Sequence, residues 1–277
     1  MTTVLLYLEC NRRPIYPLRK GPQGKGETMS ERWLVALPVF NEVKHVDGVL
    51  DEVLRYCRDV LVVDDGSTDG TAEVLAKRKD VRVLTHPKNM GYGGGLISAF
   101  NYARTHHFDK LVTIDCDGQH EPKRIPLFFE SCTPDVDIVS GSRYLRQFAG
   151  DSRPPETRRR INEIITAEVN QRLGLNLTDA FCGFKCYRVC ALKKLSITET
   201  GYSMPLEFWV QAAYARLRIK EMPVPLIYLD EKRSFGGNLD DGDVRLQYYY
   251  LTMNRAIAAA EALGLARDQM LTGECLL

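Results

Sequence analysis

From Arg32 onward, short apolar runs that end at turn residues alternate with stretches whose apolar residues recur three and four positions apart. Trp33 to Val39 reads as a buried strand, closed by Pro38 and the turn residue Asn41. Val46 to Cys57 carries apolar residues at 46, 49, 50, 53 and 54, the stripe of an amphipathic helix. Strand signatures follow at Val60–Val63, Val81–Leu84 and Leu111–Ile114, with helices between them at Thr71–Arg78 and Gly94–Thr105. A further short strand reads over Asp137 to Gly141, beyond which the alternation decays. Pro155 to Leu173 predicts a long helix with prolines at its entry and Asp151 or Ser152 as its cap. A last helix is expected near Asp243 to Leu263 and carries Tyr248, Tyr249 and Tyr250. Strand–helix alternation at this spacing predicts an α/β fold, a mainly parallel sheet flanked by helices. In such sheets ligands bind beyond the carboxyl ends of the strands.

Residues 1–28 break this pattern with Pro14, Pro17, Gly21, Pro22, Gly24 and Gly26 among basic residues, and are expected to form a disordered arm. Met29 follows directly and is a candidate start of translation. The expected organisation is an arm over 1–28, one domain over 29–240, and a C-terminal helix and tail over 241–277.

Composition narrows the partners. A chain of 277 residues with 44% hydrophobic and 26% charged residues buries a substantial core. A net charge of +1 gives no electrostatic case for nucleic acid. No run approaches the roughly 20 apolar residues of a membrane helix, since Ala256–Ala260 is broken by Glu261. Val4–Leu8 is too short for a signal core. A cytoplasmic protein, soluble or resting on a membrane without spanning it, is expected. The eight cysteines form no CxxC pairs. Cys182, Cys186 and Cys190 have helical i, i+4, i+8 spacing that would suit a soft-metal face. Small buried side chains in a reducing compartment are the better reading.

Two segments carry chemistry. Val63-Asp64-Asp65-Gly66-Ser67-Thr68-Asp69-Gly70-Thr71 runs an apolar strand into paired carboxylates and a turn. Asp69 or Ser67 caps the next helix on the plainest reading. The adjacent Asp64 and Asp65 repel at a strand end, so at least one is expected to need an external partner. Asp115-Cys116-Asp117 lies at another strand end, where alternate residues point the same way and both carboxylates can face one cation. Gln119 offers a third oxygen, a set of hard ligands suited to Mg2+ or Mn2+ shared with a phosphate. His120, beside them, is too soft for those ions and is assigned to support or packing.

With Pro38-Val39-Phe40-Asn41-Glu42 before these segments and Asn89-Met90-Gly91-Tyr92-Gly93 between them, the chain resembles family 2 glycosyltransferases. The likeness is greatest to the dolichyl-phosphate (polyprenyl-phosphate) mannose or glucose synthase branch, over about residues 32–240. It implies a GT-A (Rossmann-like) fold, an inverting transfer from a nucleotide-diphosphate sugar, and a lipid-phosphate acceptor. Pro38, Phe40, Glu42, Asp64, Asp65 and Gly91 would then line the nucleotide-sugar pocket, with Asp115 and Cys116. Asp115, Asp117 and Gln119 would hold the metal, and Asp117 would serve catalysis through it. Arg143, in Gly141-Ser142-Arg143-Tyr144, and Arg233, in a Gly-rich segment, would meet the donor's phosphates. Relatives usually carry a serine-lysine pair where Asn238-Leu239 stands. Asp179-Ala180-Phe181-Cys182-Gly183-Phe184-Lys185 resembles the motif flooring the acceptor site.

Transfer to a hydroxyl requires a base, for which Glu207 and Asp179 are the candidates, though either could instead orient the acceptor or pair with a buried arginine; transfer to a phosphate does not. The absence of Gln-x-x-Arg-Trp counts against a polysaccharide polymerase. On the 155–173 helix, Ile161, Ile164, Ile165, Val169 and Leu173 form an apolar stripe edged by Arg158, Arg159 and Arg160. That pattern fits peripheral contact with an anionic membrane or, equally, a core-facing helix. Two other functions compete: transfer to a soluble glycan or protein hydroxyl, and a nucleotide-sugar pyrophosphorylase or non-catalytic nucleotide-binding domain. Pyrophosphorylases need a Gly-rich, arginine-bearing loop where Phe40-Asn41-Glu42 stands, which disfavours them.

Overall fold

The computed structural model describes residues 31–229 and 237–263. The expected arm over 1–28 and Arg233 lie outside them. Seven strands form one sheet: β1 (Trp33–Val39), β2 (Val60–Asp64), β3 (Arg82–Thr85), β4 (Lys110–Thr113), β5 (Ile138–Ser142), β6 (Lys185–Arg188) and β7 (Ile219–Pro223). Their order across the sheet is β3-β2-β1-β4-β6-β5-β7, with β6 alone antiparallel to its neighbours β4 and β5. The sheet is thus mixed and mainly parallel, as the alternation predicts.

The helices are α1 (Val46–Leu54), α2 (Thr71–Lys77), α3 (Tyr92–Thr105), α4 (Ile125–Ser131), α5 (Glu156–Leu173), α6 (Val189–Leu192), α7 (Met204–Tyr214) and α8 (Gly242–Ala262). Alternate strand residues face opposite sides of the sheet. Leu34, Ala36, Leu61, Val63 and Leu111 pack with residues of α3, α5, α7 and α8. Val35, Leu37, Val60, Val62 and Val112 pack with residues of α1, α2 and α4. Burial on both faces explains why these strands read as continuous apolar runs.

Four expectations meet different outcomes here. The stripe of α5 turns inward: Ile161, Ile165, Val169 and Leu173 are buried in the core shared with α7 and α8. It therefore offers no apolar face to a membrane, and only the exposed Arg159 and Arg160 of its basic edge point outward. Asp151 and Ser152 do not cap α5, whose N-cap is Pro155. Instead Asp151 accepts from the Leu226 amide at 2.9 Å and Ser152 from the Tyr228 amide at 3.1 Å. Cys182, Cys186 and Cys190 share no helix; they fall in a loop, on β6 and in α6, and the first two are buried. The C-terminal helix α8 contributes Tyr249, Met253, Ala256 and Ala260 to the main core. No helix among the described residues is long and apolar enough to cross a membrane.

Candidate active site

A cleft of about 820 Å³ opens at the carboxyl ends of the parallel strands. Pro38, Phe40, Glu42 and Asp65 line one end, with Gly91; Asp115, Cys116, Asp117 and Gln119 lie along it; Arg143, Arg158, Tyr228, Arg245 and Tyr249 also line it. Phe40 is 41% exposed, an aromatic face presented to the opening. That suits stacking on a base.

Asp64 and Asp65 divide between two tasks. Asp64, 1% exposed, accepts from the Ser67 amide at 3.1 Å and does not line the cleft. Asp65 accepts from the Met90 and Gly91 amides, both at 2.8 Å, and lies 2.6 Å from His86 Nδ1. The other ring nitrogen of His86 sits 2.8 Å from Ser98 Oγ on α3. The external partner expected for this pair is therefore an internal one: a histidine and two backbone amides. His86 follows β3 directly, at the same strand-end level as the acidic pair, which is the signal that would have found it. Asp69 accepts from the Thr71 amide at 3.0 Å, as a capping residue does, and also ties down the Val43 amide.

Asp115 is set by the antiparallel strand. Thr113 pairs with Lys185, and that register carried past the ladder places Asp115 across from Gly183. A Cβ on Gly183 would lie 2.6 Å from Asp115 Cγ, so only glycine lets the carboxylate occupy this place. Tyr92 donates to Asp115 Oδ1 at 3.2 Å, and His120 Nε2 lies 3.1 Å from Oδ2. Burial, reinforced by the Asp115 charge, raises the Tyr92 pKa well above its ordinary value and keeps the phenol protonated as a donor. His120 thus supports the carboxylate rather than replacing it. Asp117 Oδ1 accepts from the Gln119 amide at 3.0 Å. Among the described residues no three His, Cys, Asp or Glu side chains converge as a closed metal site. Two carboxylates and an amide, all hard oxygens bordering a cleft, fit a cation that completes its shell from a phosphate.

Arg143 enters the cleft from the end of β5. Its Nε and Nη2 donate to Asp179 at 2.6 and 2.9 Å. Asp179 is fully buried and also accepts from Asn162 and from the Phe181 amide. Burial alone would raise the Asp179 pKa, yet Arg143, through its guanidinium and its backbone amide, and the Asn162 side chain hold it down at about 2. Asp179 is consequently an anchor for Arg143 and does not line the cleft. Lys185 ends the same motif but is buried, donating to the Cys182 carbonyl.

Glu207 is also inside, 8% exposed in the first turn of α7. It accepts from the Thr198 and Glu199 amides at 2.9 and 2.6 Å, from Thr198 Oγ1, and from Gln211 Nε2. The segment it holds packs on the start of α3, where Gly94 donates to the Thr200 carbonyl at 3.0 Å. Glu207 therefore works as a staple and lines no part of the cleft. Glu207→Gln places an amide NH2 against backbone N–H donors. It is expected to lower stability by about 1–3 kcal/mol while leaving kcat within a few-fold. Thermal denaturation beside steady-state kinetics checks this; a collapse of kcat at unchanged Tm would restore a base role.

Residues 34–196 match the family model described as glycosyl transferase family 2, which covers more than half of the chain. The chain belongs to glycosyl transferase family 2. An undecaprenyl-phosphate mannosyltransferase of Micrococcus luteus is 30% identical over 228 residues, 78% of this chain and 92% of that protein. A polyprenol monophosphomannose synthase of Mycolicibacterium smegmatis is 28% identical, covering 73% of this chain and 82% of that one. The glucosyl-3-phosphoglycerate synthase of Mycobacterium tuberculosis, solved in one complex with Mn2+, UDP and glucosyl-3-phosphoglycerate, superposes with a TM-score of 0.62. At 18% identity over 83% of this chain and 81% of that one, the likeness establishes the GT-A fold.

Within this family 2 domain, the structure brings Pro38, Phe40, Glu42, Asp65, Gly91, Asp115, Cys116, Asp117, Gln119 and Arg143 to one cleft. It leaves Asp64, Asp179 and Glu207 outside. His120 supports the acidic centre as expected, whereas Tyr92 and Gly183 shape it without being legible as its supports, because their contacts join different elements. Arg158, Tyr202, Tyr228, Arg245 and Tyr249 add a basic and aromatic lining.

Proposed function

We propose that this chain is an inverting glycosyltransferase that moves a sugar from a nucleotide-diphosphate sugar to a polyprenyl phosphate. One observation carries the acceptor: both carboxylates eligible as a general base, Glu207 and Asp179, are engaged by internal donors away from the cleft. A hydroxyl nucleophile needs such a base, whereas a phosphate monoester is already anionic near neutral pH. The relatives named undecaprenyl-phosphate mannosyltransferase and polyprenol monophosphomannose synthase support the same reading.

In the reaction so read, a phosphate oxygen of the acceptor attacks the anomeric carbon. The bond from that carbon to the diphosphate breaks, and its electron pair passes to the leaving phosphoryl oxygen. A single displacement inverts the centre. Phe40 would stack on the base, and Asp65 would keep the 89–91 loop in place through the Met90 and Gly91 amides. Asp115, Asp117 and Gln119 would hold Mg2+ or Mn2+, which would supply positive charge to offset the negative charge gained by the leaving diphosphate. Arg143, oriented by Asp179, adds a second positive group. Contact with a membrane, if made, would use the exposed Arg159 and Arg160 and the cleft mouth rather than the apolar stripe of α5.

The test is direct. Purified protein is screened with nucleotide-diphosphate sugars and Mn2+, with and without a short polyprenyl phosphate, by thermal shift and by product formation. Sugar transfer to the lipid phosphate is expected. Glycosylation of a soluble hydroxyl acceptor with no turnover of polyprenyl phosphate would overturn the reading.

A further inference from the structure

A second basic group in the cleft comes from an element outside the recognised motifs. Arg245 lies in the first turn of α8, is 4% exposed, and lines the cleft. Both features are unfavourable for a cation: burial removes its hydration, and a helix N-terminus carries partial positive charge. The position is nevertheless built. Asp241 caps α8 by accepting from the Asp243 and Val244 amides at 2.9 and 3.0 Å. Arg245 Nη1 donates to the Leu239 carbonyl at 2.8 Å, which fixes the direction of the guanidinium.

The start of α8 is also pressed against the start of α5. A Cβ on Gly242 would fall 2.8 Å from Thr157 Cγ2, so no side chain fits between the two helices there. That approach brings Arg245 near Arg158, whose charge works against it, while Tyr249, Asp240 and Tyr228 act in its favour. Arg158 itself stands over the Tyr228 ring at 5.5 Å. Two guanidinium groups that line one cleft and act against each other favour an anion between them. The tyrosines and Phe181, whose ring lies 5.0 Å from that of Tyr249, add an apolar wall.

We propose that Arg245 is an anion-binding residue of the acceptor end of the cleft, where with Arg158 it grips the phosphoryl group of a phosphate monoester. This rests on the lipid-phosphate reading above and adds a residue to it. The donor's diphosphate offers the same chemistry, so the experiment separates the two sources. Asp115, Asp117 and Arg143 stand on β4 and β5 ends, whereas Arg245 and Arg158 stand on α8 and α5. That separation by element favours the acceptor.

The full chain is compared with Arg245→Gln and Arg245→Lys, measuring KM and kcat for a short polyprenyl phosphate and Kd for the nucleoside diphosphate with Mn2+. Binding of farnesyl phosphate alone is measured in parallel. Arg245→Gln is expected to raise the acceptor KM and the farnesyl phosphate Kd about tenfold, the loss of one charged hydrogen bond. Nucleoside diphosphate Kd should stay within about twofold, and Arg245→Lys should recover part of the acceptor affinity while keeping the charge. A fall in Tm with unchanged acceptor KM would reduce Arg245 to a support of α8 and overturn the proposal. Weakened nucleoside diphosphate binding with unchanged acceptor KM would overturn the acceptor assignment. Should wild-type protein ignore polyprenyl phosphate, the functional reading fails first; farnesyl phosphate binding that still depends on Arg245 keeps the anion site standing.

Discussion

Asp117→Ala is expected to lower sugar transfer roughly 10³-fold or more, because a divalent cation at a developing diphosphate is worth several kcal/mol of transition-state stabilisation. Asp117 lies two residues beyond Asp115 on the lip of the cleft, and its Oδ1 is oriented by the Gln119 amide at 3.0 Å. Removing the carboxylate leaves Asp115 and an amide as the protein's hard ligands, too few to hold a cation that keeps several waters. The fold should survive, since Asp117 is only half-buried and contributes no apolar packing. The decisive measurement is a Mn2+ titration of transfer and of nucleoside diphosphate binding in wild type and variant. Full activity in Asp117→Ala, or an unchanged metal dependence, would dismiss the metal assignment.

Gly183→Ala is expected to reduce kcat at least about 10²-fold with a comparatively small loss of stability, in the 1–3 kcal/mol range of an overpacked site. The added methyl would lie 2.5 Å from Asp115 Oδ1. Gly183 cannot retreat easily, because its carbonyl accepts from Thr113 Oγ1 at 2.9 Å within the sheet. Asp115 must therefore move, and in moving it leaves the Tyr92 hydroxyl and the His120 ring that orient it. A single methyl group added in the segment before β6 should thus mimic part of the loss of the aspartate itself. Circular dichroism and Tm would show the sheet intact while Mn2+ affinity falls. Wild-type kcat and Mn2+ dependence in Gly183→Ala would show that the close approach carries no functional weight.

The resemblance to family 2 glycosyltransferases and the strand-end rule together placed ten of the candidate residues in one cleft. They were legible because most sit at or just after the end of a parallel strand, and successive parallel strands deliver their carboxyl ends to one edge. Glu207 and Asp179 read in sequence as candidate bases or as partners of a buried arginine, and no local feature chose between the two. A carboxylate in a motif looks alike in sequence whether it faces substrate or faces the protein's own amides. Four donors on Glu207 and the Arg143 fork on Asp179 come from residues up to 36 positions away. The apolar stripe of α5 was legible as a stripe, but not its direction. The same periodicity serves a lipid surface or a core, and burial against α7 and α8 selects the core.

Local pattern was enough for the α/β class, the positions of the first four strands along the chain and the acidic segment at Asp115 and Asp117, because strand alternation and turn chemistry act over a few residues. Which side chains meet across the cleft was beyond its reach. The antiparallel entry of β6, which sets Gly183 against Asp115, and the seating of α8 on α5, which brings Arg245 beside Arg158, join segments about 70 to 90 residues apart. Such contacts depend on how the whole sheet and its covering helices pack, and no local periodicity encodes that.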